Sequence, residues 1–404
     1  MSRIESLIRQ LCPRGVRLRE LSEVAEIAGR TTQPAAMTGD VVAIYSLPAF
    51  DSGNGPERVA PHQVGSAKTT VTSPVVLVAK LNPHIPRVWR LEQVEENAYC
   101  SPEFYPLVPI EGALEVGFLY HLIVSELPRI ASGVRGSTNS HKRLQRADFL
   151  DLRVPVPPLG VQREIVAILD TFTELEAELE AELEARRQQY HHYRETLLDM
   201  RLRADVMWIE LSDLFEVRNG FTPSKSVAQY WEGGSIPWFR MEDIRTNGGV
   251  LSDSIQHVSE SAVKSGRGVF PTNSILVATS ATIGAHALIT VPHLCNQRFV
   301  SLSVRPQYAD ALNIKFAYYY AFVLDEWCKD NTTLGNFPGV DLPRLRRFPF
   351  PLPPVDEQEW IVSILERFDA LVNDLSSGLP AELNARRKQY EHYRDRLLTF
   401  PEAA

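Results

Sequence analysis

The chain repeats itself, and that repetition limits its possible folds more than any other feature. Pro157, Pro158, Gln162, Ile165, Val166, Ile168, Leu169 and Phe172 recur as Pro353, Pro354, Gln358, Ile361, Val362, Ile364, Leu365 and Phe368 at a constant offset of 196. Ala185, Arg186, Arg187, Gln189, Tyr190, His192, Tyr193, Arg194, Leu197 and Leu198 recur as Ala385, Arg386, Arg387, Gln389, Tyr390, His392, Tyr393, Arg394, Leu397 and Leu398 at an offset of 200. A weaker match, Glu20, Leu21 and Ser22 with Glu210, Leu211 and Ser212, opens each copy. A fixed period of this kind signals tandem structural units. The second copy carries four extra residues between Phe368 and Ala385, and Gly378 and Pro380 there predict a broken helix.

The back of each copy reads as a long helix that starts behind a proline line, PVPPLG or PFPLPP. In the first copy no Gly or Pro interrupts Val161 to about Arg203, and 40 residues of helix would span about 60 Å. Ile165, Leu169, Phe172, Leu175, Leu179 and Leu183 form an apolar stripe, with the glutamates of the AELE run expected to point away. Ile361, Leu365, Phe368, Leu371, Leu375 and Leu383 supply a matching stripe, which predicts antiparallel coiled-coil pairing with the front halves at opposite ends. The fronts are rich in Gly, Pro, Thr and short β-branched runs such as SPVVLVA and NSILVAT, and show little mutual similarity. The expected fold is α+β: two mixed α/β domains joined by two long antiparallel coiled-coil helices in a tandem pseudo-two-fold arrangement. Its boundaries are 1–155, a first helix at 156–204, a second domain at 205–351, and a broken second helix at 352–404.

With 404 residues and 44% hydrophobic content the chain can build several cores. Its apolar runs are far shorter than the roughly 20 residues of a membrane span, and the charged opening MSRIESLIRQ does not read as a secretory signal. Cys12, Cys100, Cys295 and Cys328 lack metal-ligand spacing and are read as reduced and buried, in a cytoplasmic protein. The net charge of −8 argues at first against a nucleic-acid partner. The charge is segregated, however: Glu174, Glu176, Glu178, Glu180, Glu182 and Glu184 lie on one segment, and basic clusters stand at 135–146, 186–194 and 344–347.

Motifs for chemistry are missing. The sequence contains no nucleotide-binding GxxxxGK[ST] or GxGxxG turn and no HExxH or Cys/His cluster, so no catalytic or metal-binding residue is assigned. Asn82-Pro83-His84-Ile85 only superficially matches the Asn/Asp-Pro-Pro-aromatic motif of amino-methyltransferases. His191 and His192 read as helix packing or solvated surface, and the basic run 185–194 as a solvated face, a partner site or a phosphate contact.

Two dissimilar fronts, each closed by a PxPP line, a Gln and a helix ending ARRxQYxHYRxxLL, resemble the specificity subunits of Type I restriction-modification enzymes. The opening RIESLIRQLCPRGVRLREL, and in the second front GFTPSKSVAQYWEGGSIPWFRMEDI, NSILVATSATIGAHALI and CNQRF, extend the resemblance over essentially the whole chain. It implies that the fronts are target-recognition domains, each reading one half of a split, asymmetric double-stranded DNA sequence from the major groove. It further implies that the helices act as a ruler, four added residues lengthening the rod by about 6 Å. The implied partners are two modification (methyltransferase) subunits holding S-adenosylmethionine and restriction (motor-nuclease) subunits consuming ATP. This chain would hold no cofactor and be non-catalytic.

Base readout needs side chains with paired donors and acceptors displayed from loops. In the second front the candidates are Arg218, Asn219, Thr222, Ser224, Lys225, Arg240, Thr279, Ser280, Thr282, Asn296, Gln297, Arg298, Asn331, Thr332 and Asn336. In the first they are Arg30, Thr31, Thr32, Gln33, Lys68, Lys80, Asn82 and Arg87, with Arg135, Ser137, Thr138, Asn139, His141 and Lys142 in a polar run ending at Arg143. Each is alternatively a phosphate clamp or a solvated turn. No counterpart of TPSK or SATIG aligns in the first front. Two rival readings are a self-contained methyltransferase or nuclease, which lacks its motifs, and a scaffold with two protein-binding heads.

Overall fold

The computed structural model describes residues 10–72, 74–133, 142–263, 268–333, 338–374 and 377–403. The chain forms two compact units, Met1–Glu180 with Glu382–Ala404, and Ala181–Ala381. Each contains one front domain, or head, and two helical segments.

In the first head the strands are β1 (Leu18–Glu20), β2 (Ala25–Ile27), β3 (Thr31–Thr32), β4 (Val42–Tyr45), β5 (Glu57–Val59) and β6 (Lys68–Thr70). They continue with β7 (Val75–Ala79), β8 (Val88–Leu91), β9 (Ala98–Cys100), β10 (Phe104–Pro109) and β11 (Arg153–Pro155). One sheet has the order β2-β10-β7-β8, a second β3-β6-β9-β4-β5, and β1 pairs with β11 where the chain enters and leaves the head. The run Val75–Ala79 is buried along its whole length, as its unbroken apolar sequence requires of a central strand.

The second head has β12 (Met207–Glu210), β13 (Phe215–Asn219), β14 (Ile236–Phe239), β15 (Val250–Leu251) and β16 (His257–Val258). It continues with β17 (Ser274–Ala278), β18 (His286–Ile289), β19 (Leu294–Cys295), β20 (Phe299–Val304) and β21 (Pro349–Leu352). Its main sheet runs β13-β20-β17-β18-β15, a smaller one β16-β14-β19, and β12 pairs with β21. The sheet β2-β10-β7-β8, the main sheet of the first head, therefore repeats the order of the first four strands of β13-β20-β17-β18-β15, although the sequences barely align. The fold is the expected mixed α/β type.

The longer helices are α1 (Val116–Gly133), α2 (Leu159–Leu198), α3 (Ile314–Asp330), α4 (Val355–Asn373) and α5 (Leu379–Leu398). Helix α2 ends five residues before the expected Arg203: Met200 turns into the interior, 1% exposed, and Arg203 is held by Asp205 and Glu357. Between α4 and α5 the helix is interrupted. A Cβ on Gly378 would lie 2.5 Å from the Ala370 carbonyl oxygen, a close approach that only glycine permits.

Within the first unit α2 and α5 run antiparallel: Phe172 stacks on Tyr393 at 5.2 Å, and further along α2 Glu176 and Glu180 bind Arg387. Those two glutamates thus face the partner helix, whereas the sequence pattern sent all of them outward; the long side chain of Arg387 reaches across to bind both. Within the second unit Tyr190 and Tyr193 stack on Phe368, and Arg203 meets Glu357, again antiparallel. The leucine stripe is unevenly covered, with Leu183 buried and Leu175 and Leu371 exposed; Leu375 lies outside the described residues.

The repeated glutamine of the PxPP line joins each helix to its head. Gln162 donates to the carbonyls of Ala113 and Pro157 and accepts from the Glu115 amide. Gln358 donates to the carbonyls of Ala311 and Pro353 and accepts from the Asn313 amide. Both are fully buried. In the first unit Asp170 of α2 also accepts from Arg90 of β8 and lies 2.8 Å from the ring of His121 on α1, tying head and helices through charge-assisted bonds.

Candidate nucleic-acid interface

The loops at one end of each main sheet carry the candidate residues, and the same backbone hydrogen bonds build them in both heads. After β17, the Ala278 amide donates to the Ala285 carbonyl, the Thr279 amide to Arg298, and the Val340 amide to Thr279. After β7, the Ala79 amide donates to Arg87, the Lys80 amide to Glu103, and the Leu144 amide to Lys80. Ala281 at φ 66° and Asn82 at φ 51° each turn the loop through the left-handed region. The segment Lys80–Ile85 is therefore the counterpart of Thr279–Gly284 that the sequence did not reveal.

A second element matches equally well. β19 pairs in parallel with β14, and β9 with β4, setting Cys295 beside Phe239 and Cys100 beside Tyr45. The Asn296 amide then donates to Phe239 and the Phe299 amide to Asn296; in the first head the Ser101 amide donates to Tyr45 and the Phe104 amide to Ser101. The turns Asn296–Gln297–Arg298 and Ser101–Pro102–Glu103 thus occupy one position, as do Arg240 and Ser46. Sequence reading missed Ser46, Ser101, Pro102 and Glu103; the shared Cys-x-x-x-Phe frame, Cys100–Phe104 and Cys295–Phe299, was the available signal. Burial pushes the Cys100 thiol up to about 12, so this cysteine is a packing residue beneath the turn.

In the second head the candidates converge. Thr222 donates to Gln297, and the Asn296 side chain accepts from the Arg298 amide. Ser280 bridges to Gly339 and Thr332 to Val340, while Thr282 accepts from Arg245. Gln297, Arg298, Asn219, Ser224, Lys225 and Thr332 are exposed. Other side chains are engaged: Asn331 donates to the Trp327 carbonyl at the end of α3, and Arg218 lies 4.6 Å over the Phe270 ring and donates to the Gly268 carbonyl. Arg240 pairs with Glu242, and its Nε is buried without a hydrogen-bond partner among the described residues.

The first-head candidates fall into two groups. Strand β3 pairs with β6, placing Thr31 opposite Thr69 and Thr32 opposite Lys68, with Arg30 and Gln33 exposed beside them. Lys80, Asn82 and Lys142 meet at the end of β7, where the Asn82 amide donates to the Lys142 carbonyl. The Lys80 ammonium donates to the Pro102 carbonyl and packs on the Tyr105 ring, and burial holds its pKa down. Arg87 makes a bidentate ion pair with Asp51. Arg135, Ser137, Thr138, Asn139, His141 and Asn336 lie outside the described residues.

Beneath the second-head loops His293 is fully buried between Phe239 and Phe270, its Nδ1 2.9 Å from the Val291 carbonyl and its Nε2 without a hydrogen-bond partner among the described residues. Desolvation, with a smaller push from Arg218, lowers its pKa from 6.5 to about 4. The folded state therefore binds this proton less well than the unfolded chain. Its contribution is complete above pH 6.5 and declines as pH falls toward 4, by roughly 3 kcal/mol in all. Urea midpoints measured at pH 7 and pH 4.5 should differ less in His293→Leu than in the parent; an equal difference would assign the acid sensitivity elsewhere.

Two blocks, residues 13–185 and 204–385, match the family described as Type I restriction modification DNA specificity domain. A specificity subunit of the type I restriction enzyme EcoprrI from Escherichia coli is 51% identical over 217 residues, covering 52% of this chain and 53% of that one. The EcoR124I/EcoR124II specificity subunit, also from Escherichia coli, is 37% identical over 278 residues, covering 65% and 66%. These matches thus span about half to two thirds of the relatives' lengths. A chain from a structure of a type I R-M system superimposes with a TM-score of 0.67 at 20% identity, covering 96% of this chain and 98% of that one. The HsdS subunit from Thermoanaerobacter tengcongensis gives 0.52 at 20% identity, covering 96% and 97%, and both likenesses speak for the fold. The fold is that of a two-headed specificity protein. The chain belongs to the Type I restriction-modification DNA specificity family.

Proposed function

We propose that each head reads one half of a bipartite, asymmetric DNA target, and that the chain is the non-catalytic specificity subunit of a restriction-modification complex. The observation that carries this is the pair of loop sets on one shared backbone frame, with unlike side chains at equivalent positions: Arg240 against Ser46, and Asn296–Arg298 against Ser101–Glu103. A common scaffold with divergent polar tips suits two readings of different sequence. Modification subunits carrying S-adenosylmethionine and ATP-consuming restriction subunits supply the chemistry, and this chain binds neither cofactor. Its partners are double-stranded DNA and those subunits. No helix among the described residues is long and apolar enough to cross a membrane.

The test is to co-express the chain with its modification subunit and map methylated adenines across the host genome. A split motif methylated in both halves supports the reading. A continuous motif, or a stable complex without methylation, favours a scaffold with protein-binding heads. In the same assay Arg240→Ala should relax one half-site by about tenfold and leave the other intact. A uniform loss on all sequences would make Arg240 a phosphate contact.

A further inference from the structure

The turn before the central strand β10 or β20 has the same backbone in both heads, and its third residue has opposite hydrogen-bonding polarity. Glu103 ends the turn in the first head and Arg298 in the second, each with its carbonyl accepting from the amide that follows the neighbouring strand, Lys80 or Thr279. An ionised carboxylate only accepts and a guanidinium only donates. The Arg298 side chain is exposed and makes no ion pair among the described residues. Glu103 is 29% exposed in its side chain; its Oε1 accepts from Arg143 at 2.9 Å, while its Oε2 is enclosed and has no hydrogen-bond partner among the described residues. A carboxylate oxygen held from water without a donor is unfavourable, and Arg143, the ion-pair partner of Glu103, is exposed over 55% of its side chain.

We infer, on the reading just proposed, that this third residue determines specificity at the equivalent register of each half-site: Glu103 accepts from the exocyclic amino group of a cytosine, and Arg298 donates to a guanine. In the major groove the cytosine amino group is the donor suited to a carboxylate, and guanine O6 and N7 are the acceptors suited to arginine. As the base arrives, Arg143 is released from Glu103 toward a phosphate. The base pair facing this turn is then G·C in both half-sites, with its strands exchanged.

Glu103→Ala, Arg298→Ala and Arg143→Ala are compared with the parent by methylated-adenine mapping of the full complex. The expected parent motif has a cytosine in the first half-site, at which Glu103→Ala lowers preference about tenfold or more without altering the second half. Arg298→Ala does the same at a guanine in the second half-site alone. Arg143→Ala weakens methylation evenly at all positions, because it removes a phosphate contact and leaves the carboxylate. Should the Glu103→Ala complex fail to assemble, Arg298→Ala decides. An intact split motif whose base preferences survive both Glu103→Ala and Arg298→Ala overturns the inference, as does a Glu103→Ala effect identical to that of Arg143→Ala, which would make Glu103 a loop staple. A parent complex without a split motif overturns the underlying reading itself.

Discussion

Replacing Gln358 by Leu is expected to lower the stability of the second unit by about 3–5 kcal/mol. The side chain is fully buried and makes three hydrogen bonds, to the carbonyls of Ala311 and Pro353 and from the Asn313 amide. Leucine fills most of the same volume but leaves those three backbone groups in the interior without partners, each costing about 1–3 kcal/mol. The midpoint of thermal unfolding should fall by about 10 °C, and Gln162→Leu should do the same to the first unit, where the bonds are repeated. Differential scanning calorimetry checks this. A shift of only a degree or two would mean that the backbone finds other partners and that the glutamine is dispensable to the junction of helix and head.

A second large effect is expected at Gly220. A Cβ there would lie 2.1 Å from the Asn296 carbonyl oxygen, 2.6 Å from the Cys295 sulfur and 2.7 Å from the Cys295 carbonyl oxygen. The Cys295 carbonyl cannot retreat freely, because it accepts from the Phe221 amide at 2.8 Å. Gly220→Ala should therefore push the turn Asn296–Arg298 away from the loop that carries Thr222, at a cost of about 3 kcal/mol. On the proposed reading, discrimination at the second half-site should fall at least tenfold while the first half-site is read normally. Competition binding with duplexes altered in one half at a time measures this. Normal discrimination by a folded Gly220→Ala complex would remove the turn from the reading surface.

Much of the organisation was legible in the residues. The offsets of 196 and 200 predicted two copies and the interruption near Gly378, because long helices carry their packing stripe and their breakers in local sequence. The second-head loops could also be picked, since TPSK, SATIG and CNQRF are the polar stretches that carry the family resemblance. The matching first-head loops could not. Lys80–Ile85 and Ser101–Glu103 share almost no side chains with their counterparts, and what they do share is a pattern of backbone hydrogen bonds that pairs residues far apart in the chain. Arg87 and Asn331 illustrate the converse: each has a suitable readout side chain, yet one is engaged by Asp51 and the other caps α3.

The sequence by itself determined the tandem plan, the long helices and their breaks through spacings along the chain, and the family through the residues of its repeat lines and second-head loops. Only the tertiary structure decided which polar side chains stand together at the strand ends and which of them are already satisfied. It also assigned the halves of α2 to different units and turned Glu176 and Glu180 onto Arg387. The reason is physical: periodicity follows from local backbone geometry, whereas strand pairing and ion pairing depend on contacts whose partners lie tens to hundreds of residues away.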